Sequence, residues 1–181
     1  MLELLRECED NKILTAVYNN RNAYDSFSVG YVLAVTEEEM LLARISPRGE
    51  FDGYAVCRVD TIFRIETDGA YLRKVELLWK LKGGAVPEDT PFIDEPLMDL
   101  LQFAADNHIN TSICLEEGSC IIGGYVELSD QERVCVLQVD EFGRENGRTC
   151  FYPEEITRIA ILDAEGQDLD MLYRYRKNGE K

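Results

Sequence analysis

Histidine is almost missing from this chain: His108 stands alone among 181 residues. Acid–base catalysis near neutral pH needs a side chain that titrates there, and histidine is the usual one. No G-x-S-x-G and no phosphate-binding glycine loop occurs either, which removes the nucleophile elbow and the nucleotide cradle. Gly118 and the Gly123-Gly124 pair read as bends. Cysteine is present six times, yet no two form a C-x-x-C pair. With a lone imidazole and no such spacing, no zinc site is legible. The expectation is a non-enzymatic protein with no cofactor and no metal.

Positive charge is scarce. The chain has 19 Lys and Arg against 35 Asp and Glu, a net charge of −16. The excess is lopsided, at −3 over residues 1–82 and −13 over residues 83–181. Nucleic-acid binding rests largely on cations that neutralise phosphates, so net charge disfavours RNA. The bland reading of the acidity is solubility. Long hydrophobic runs are also missing. No stretch approaches the roughly 20 apolar residues of a membrane helix. The start, Met1-Leu2-Glu3-Leu4-Leu5-Arg6-Glu7, lacks the basic region and long apolar stretch of a signal peptide. A cytoplasmic protein off the membrane is expected.

What is there is a repeat. Residues 30–65 lie over residues 124–159 without a gap, at an offset of 94. Nine of those 36 pairs are identical: Gly30/Gly124, Tyr31/Tyr125, Val32/Val126, Glu38/Glu132, Gly49/Gly143, Gly53/Gly147, Ile62/Ile156, Arg64/Arg158 and Ile65/Ile159. Chance gives roughly two. Such a repeat governs the architecture. It divides the chain into units at 1–87 and 88–181. Units that small bury only about 60–65% of their surface and are marginal alone, so the halves should pack together.

Each copy is expected to open with a helix, at Leu2–Ile13 and Met98–Ile109. Leu97, Leu100, Leu101 and Ala104 give the second one an apolar face. Asp94 is a candidate cap, Pro96 suits the first turn, and Asn107 is a candidate stop. Five short strands follow in each copy. They are near Ile13–Tyr18, Gly30–Val35, Met40–Ile45, Tyr54–Arg58 and Ile62–Glu66 in the first. In the second they are near Thr111–Leu115, Gly124–Leu128, Val134–Val139, Arg148–Tyr152 and Ile156–Ile161. Asp52-Gly53 and Asn146-Gly147 signal tight turns. Closing helices are expected at Tyr71–Lys82 and about Leu169–Lys177, with a Gly- and Pro-bearing linker over residues 83–95. Short strands closed by tight turns make a small barrel or a strongly bent sheet.

Two sets of lines carry a resemblance. They run from Gly30-Tyr31-Val32 to Met40-Leu41-Leu42, and from Gly124-Tyr125-Val126 to Val134-Cys135-Val136. Ile62-Phe63-Arg64-Ile65 and Ile156-Thr157-Arg158-Ile159 complete them. This order of a helix and five short bent strands resembles the Sm-like (Lsm) small barrel. The fold it implies is mainly β with flanking helices: two tandem Sm-like, SH3-like five-stranded barrels, each preceded and followed by a helix. It also implies pairing of the fourth strand of one barrel with the fifth of the next. Many members of that family bind single-stranded RNA through an Asp/Asn loop and an Arg-Gly loop. Here the corresponding loops are Thr36–Glu39 and Ser129–Glu132, without asparagine, and Arg58–Thr61 and Tyr152–Glu155, without Arg-Gly. The RNA-reading residues do not carry over.

The repeat also weighs the remaining candidates. Cys57, Cys135, Cys150 and Cys8 align with Phe151, Leu41, Val56 and Ala104, all apolar. That favours reduced core cysteines over a disulfide or a metal site. The runs Glu37–Glu39, Glu116-Glu117 and Glu154-Glu155 read as solvated tips. Tyr31 and Tyr125 read as core residues with the hydroxyl at the rim, rather than base-stacking platforms. Tyr71 and Trp79 read as a stripe sealing a core. Arg64 and Arg158 read as charges guarding an edge strand, or as a salt bridge between barrels. Arg21 and Tyr24 sit in a loop of that length unique to the first copy, the leading candidate binding loop. The candidate interaction surface is Arg21, Tyr24, Arg64 and Arg158. The functional expectation is a protein-interaction or scaffold module with a protein partner and self-association through strand edges. The alternative is an RNA-binding protein using Arg21, Arg44, Arg48 and Arg58.

Overall fold

The structure is a computed structural model and describes residues 1–87, 94–115 and 120–179. Alternating apolar residues and tight turns give ten strands, and two helices flank each set of five. The first set is α1 (Leu2–Asp10), β1 (Leu14–Tyr18), β2 (Ser28–Val35), β3 (Glu39–Ile45), β4 (Phe51–Arg58), β5 (Arg64–Thr67) and α2 (Ala70–Leu81). The second is α3 (Pro96–Asn107), β6 (Asn110–Leu115), β7 (Cys120–Ser129), β8 (Val134–Val139), β9 (Glu145–Phe151), β10 (Ile156–Ile161) and α4 (Ala164–Gly179). The ten strands form one sheet in the order β5-β1-β2-β3-β4-β10-β6-β7-β8-β9. The pairings are antiparallel throughout.

Two closed barrels were expected; the sheet is open. The outer side of β4 pairs with β10 of the other half, from Cys57↔Arg158 to Tyr54↔Ile161. That leaves β5 and β9 as the two ends. The strand order within each half is the same, with the fifth strand returning to the first. The irregularities repeat as well. Register shifts fall at Val32/Ala34 and Ala43/Ile45, and again at Val126/Leu128 and Leu137/Val139. Such bulges bend a strand and raise its twist. Gly30 and Gly124 have matching surroundings. A Cβ on Gly30 would fall 2.2 Å from the carbonyl oxygen of Ala43, and one on Gly124 would fall 2.1 Å from that of Leu137. Only glycine admits so close a backbone approach.

The largest apolar cluster crosses the junction. Leu100, Leu101 and Ala104 of α3 pack with Ile113, Val136 and Ile159, and with Ala34, Leu41 and Val56 of the first half. Pro96 does open α3, but its N-cap is Glu95 with no side-chain cap, not Asp94. The left-handed stop is His108, not Asn107. The ring of His108 stacks on Tyr125, 4.4 Å between centroids. Tyr31 and Tyr125 are both buried, and the Tyr125 hydroxyl donates to Asp170 at 2.7 Å. Burial pushes the Tyr31 phenol up to about 12. Trp79 is buried on α2.

Three further expectations are corrected. Cys135 and Cys150 face each other across β8 and β9 and form a disulfide. Their counterparts Leu41 and Val56 are buried with Leu97, Leu100 and Leu101 of α3, whereas Cys135 is half-buried and Cys150 exposed. Cys8, Cys57 and Cys114 are free and buried, as expected of core cysteines; burial raises the Cys57 thiol to about 12. Glu39 is no solvated tip: it is half-buried and accepts the Leu97 amide at 2.9 Å. Burial raises its carboxyl above the usual range, with the Leu97 amide opposing. The third concerns Arg158, which guards no edge, because β10 lies between β4 and β6. The boundary near Glu88, most of the linker, Glu116, Glu117 and Gly118 lie outside the described residues. Among those described, no helix is long and apolar enough to cross a membrane.

Candidate functional site

Beside the free end of the sheet, the first half gathers aromatic rings from four segments. β1 supplies Tyr18, the loop before β2 supplies Tyr24 and Phe27, the approach to β5 supplies Phe63, and α2 supplies Tyr71. Tyr18 meets Phe27 at 5.0 Å and Phe63 at 6.3 Å between ring centroids. Tyr24 meets Phe63 at 5.1 Å. Phe27 meets Tyr71 edge-on at 5.7 Å. These separations fall in the range favoured by tilted and edge-to-face aromatic pairs.

Two arginines lie over the rings. The Arg21 guanidinium stands 6.0 Å from the Phe63 centroid, and that of Arg64 stands 4.6 Å from Tyr18. Arg64 also pairs with Glu66, which accepts the Tyr18 hydroxyl at 3.1 Å. Burial, then this carboxylate, raises the Tyr18 phenol above its usual value. The cluster is not sealed: Tyr24 is 64% exposed, Tyr71 40% and Phe27 38%.

Three of the four sequence candidates therefore meet here: Arg21, Tyr24 and Arg64. Arg158 does not join them; it occupies the corresponding place in the second half, opposite Cys114. Phe27 and Phe63 were not among the binding candidates of the sequence, and Tyr71, 40% exposed, leaves the core stripe assigned to it. The repeat held a signal for both phenylalanines, since Phe27 and Phe63 align with Ile121 and Thr157. Two of the four arginines of the expected basic strip are ion-paired. Arg44 is held by Asp52 at 2.8 Å and Asp163 at 3.1 Å, the latter tying the two halves together. Arg58 pairs with Asp60.

No cluster of His, Cys, Asp and Glu among the described residues forms a metal site. The chemistry of the patch is that of contact: flat apolar rings, two guanidinium groups and, alongside, the outer side of β5. No protein-family model, curated protein or solved structure matches the chain.

Proposed function

We propose that the chain is a non-enzymatic protein-interaction module made of two Sm-like halves. The half-to-half pairing of β4 with β10 joins a fourth strand to a fifth strand, the junction implied by the resemblance. The observation that carries the interaction reading is the exposed aromatic and arginine cluster beside an unpaired sheet edge. Aromatic residues and arginine dominate the energetic centres of protein interfaces. A sheet edge with free backbone groups accepts an extended segment as a further strand. Among the described residues no strand pairs with the outer side of β5. A partner segment lying along Arg64–Thr67 would place its side chains against Tyr24, Phe63 and Tyr71.

The test is capture from native lysate by the full chain, with and without nuclease, beside the Tyr24→Ala/Tyr71→Ala variant. The reading expects a nuclease-resistant protein partner that the variant loses. Equal capture by the variant overturns it, and capture that nuclease abolishes favours the RNA alternative.

A further inference from the structure

We propose that the cavity around Arg158 binds a small hydroxy- or oxo-carboxylate. The basis is a position-by-position comparison of the two halves. β1 and β5 pair Tyr18 with Arg64, and β6 and β10 pair Cys114 with Arg158. The two arginines therefore occupy the same place. In the first half that place is self-satisfied: Arg64 rests over Tyr18 and pairs with Glu66. In the second half both partners are gone. Cys114 stands for Tyr18, and Ala160 stands for Glu66.

Arg158 is half-buried. Its hydrogen bond goes from Nη2 to the Cys114 sulfur at 3.4 Å, and sulfur is a weak acceptor. No carboxylate among the described residues pairs with it. A guanidinium in that setting favours a ligand that restores the missing anion, and a planar carboxylate matches its two parallel N–H groups.

A second substitution borders the same space. Leu14 pairs with Tyr31 in the first half, and Asn110 pairs with Tyr125 in the second. Leu14 belongs to an apolar cluster. Asn110 is only 4% exposed, and its side-chain Nδ2 has no hydrogen-bond partner among the described residues. A buried donor left unmade is costly, and turning the Asn110 side chain toward the cavity would let a ligand oxygen satisfy it. Asn110 and Arg158 both line one cavity of about 280 Å³. Small-molecule sites start at about 300 Å³, so the volume suits a small acid. Ser112 adds a hydroxyl and Ile121 an apolar wall.

The other charges narrow the class. Arg44 reaches the cavity but is committed to Asp52 and Asp163. Asp163 also accepts the Gly166 amide at the start of α4. Glu165 also lines the cavity. One uncommitted cation among carboxylates, on a chain of net charge −16, favours a singly charged acid over a phosphate. An acceptor oxygen beyond the carboxylate, for Asn110, completes the description.

The test is NMR titration of the full 15N-labelled chain with glycolate, acetate and inorganic phosphate, following Arg158 Nε–Hε and the Asn110 side-chain amide. Glycolate is expected to give saturable shifts at both groups, and acetate weaker ones. Arg158→Gln should weaken glycolate binding by about tenfold or more, and Arg64→Gln should leave it unchanged. Ala160→Glu rebuilds the arrangement of Glu66 and should abolish binding. If that variant does not fold, the contrast between Arg158→Gln and Arg64→Gln decides alone. No saturable shift with glycolate, equal titration of Arg158→Gln, or preference for phosphate overturns the proposal.

Discussion

A Cβ on Gly53 would fall 2.0 Å from the carbonyl oxygen of Ile161. This contact marks where β4 of one half meets the end of β10 of the other. Gly147 is the counterpart of Gly53, with a similar φ of +86° against +79°, but a Cβ there would meet nothing within 4 Å. Gly147→Ala should therefore cost only the backbone strain, about 1 kcal/mol. Gly53→Ala adds overpacking against a backbone atom, for roughly 1–3 kcal/mol more. Urea unfolding of the two variants measures the difference. Equal costs would mean that β4 and β10 do not meet as described.

Leu4 and Leu100 occupy equivalent helix positions, and their environments diverge in the same way. Leu100 is 0% exposed under the junction, and Leu4 is 37% exposed on α1. Leu100→Ala is expected to cost about 2–5 kcal/mol, the range for a buried leucine. Leu4→Ala should cost well under half of that. Thermal unfolding of the pair checks the order, and a larger loss at Leu4 contradicts the placement of α3.

The Cys135–Cys150 bridge closes a separation of 15 residues. Loop-closure entropy at that length is worth about 3 kcal/mol. Dithiothreitol should lower the melting temperature of the native chain and leave the Cys135→Ala/Cys150→Ala variant unmoved. A reductant effect of the same size on both would place the sensitivity elsewhere.

Glu39 gives a pH signature with a definite sign. Its carboxyl is raised above the ordinary 4.5 by burial at the α3 start, with the Leu97 amide only opposing. The native state thus holds the proton more tightly than the unfolded one. Its contribution is fully present below about pH 4.5 and is lost as pH rises through the native value. Glu39→Gln keeps an acceptor for Leu97 without the charge. Its stability relative to the native chain should climb from pH 4 upward and then level off. Denaturant unfolding across that range tests it; a flat or falling difference contradicts the burial assigned to Glu39.

The strands and helices were legible because their signals are local. Alternation and paired glycines placed Val134–Val139 and Ile156–Ile161 to the residue, and α2 within one residue at each end. α4 was expected to begin at Leu169 and begins at Ala164. Its first turn is built on Asp163, Gly166 and Gln167, contacts with no periodic apolar signature. The patch was half legible. Arg21, Tyr24 and Arg64 stood out by loop composition and by repetition. Phe27, Phe63 and Tyr71 come from distant segments, and only folding brings their rings within 6 Å of a neighbour.

The amino-acid sequence by itself determined a twofold series of short bent strands between helices, because side-chain period and glycine geometry act over a few residues. The tertiary structure alone decided which strand edges meet. The outer edge of β4 presents a row of backbone groups, and nothing local says whether β5, β10 or water is to satisfy it. The choice of β10 covers Leu41 and Val56 with α3 and sets Arg158 inside the sheet rather than at its rim. Backbone pairing across an edge depends on the fit of two surfaces far apart in sequence, and equivalent residues acquired different surroundings through that one contact.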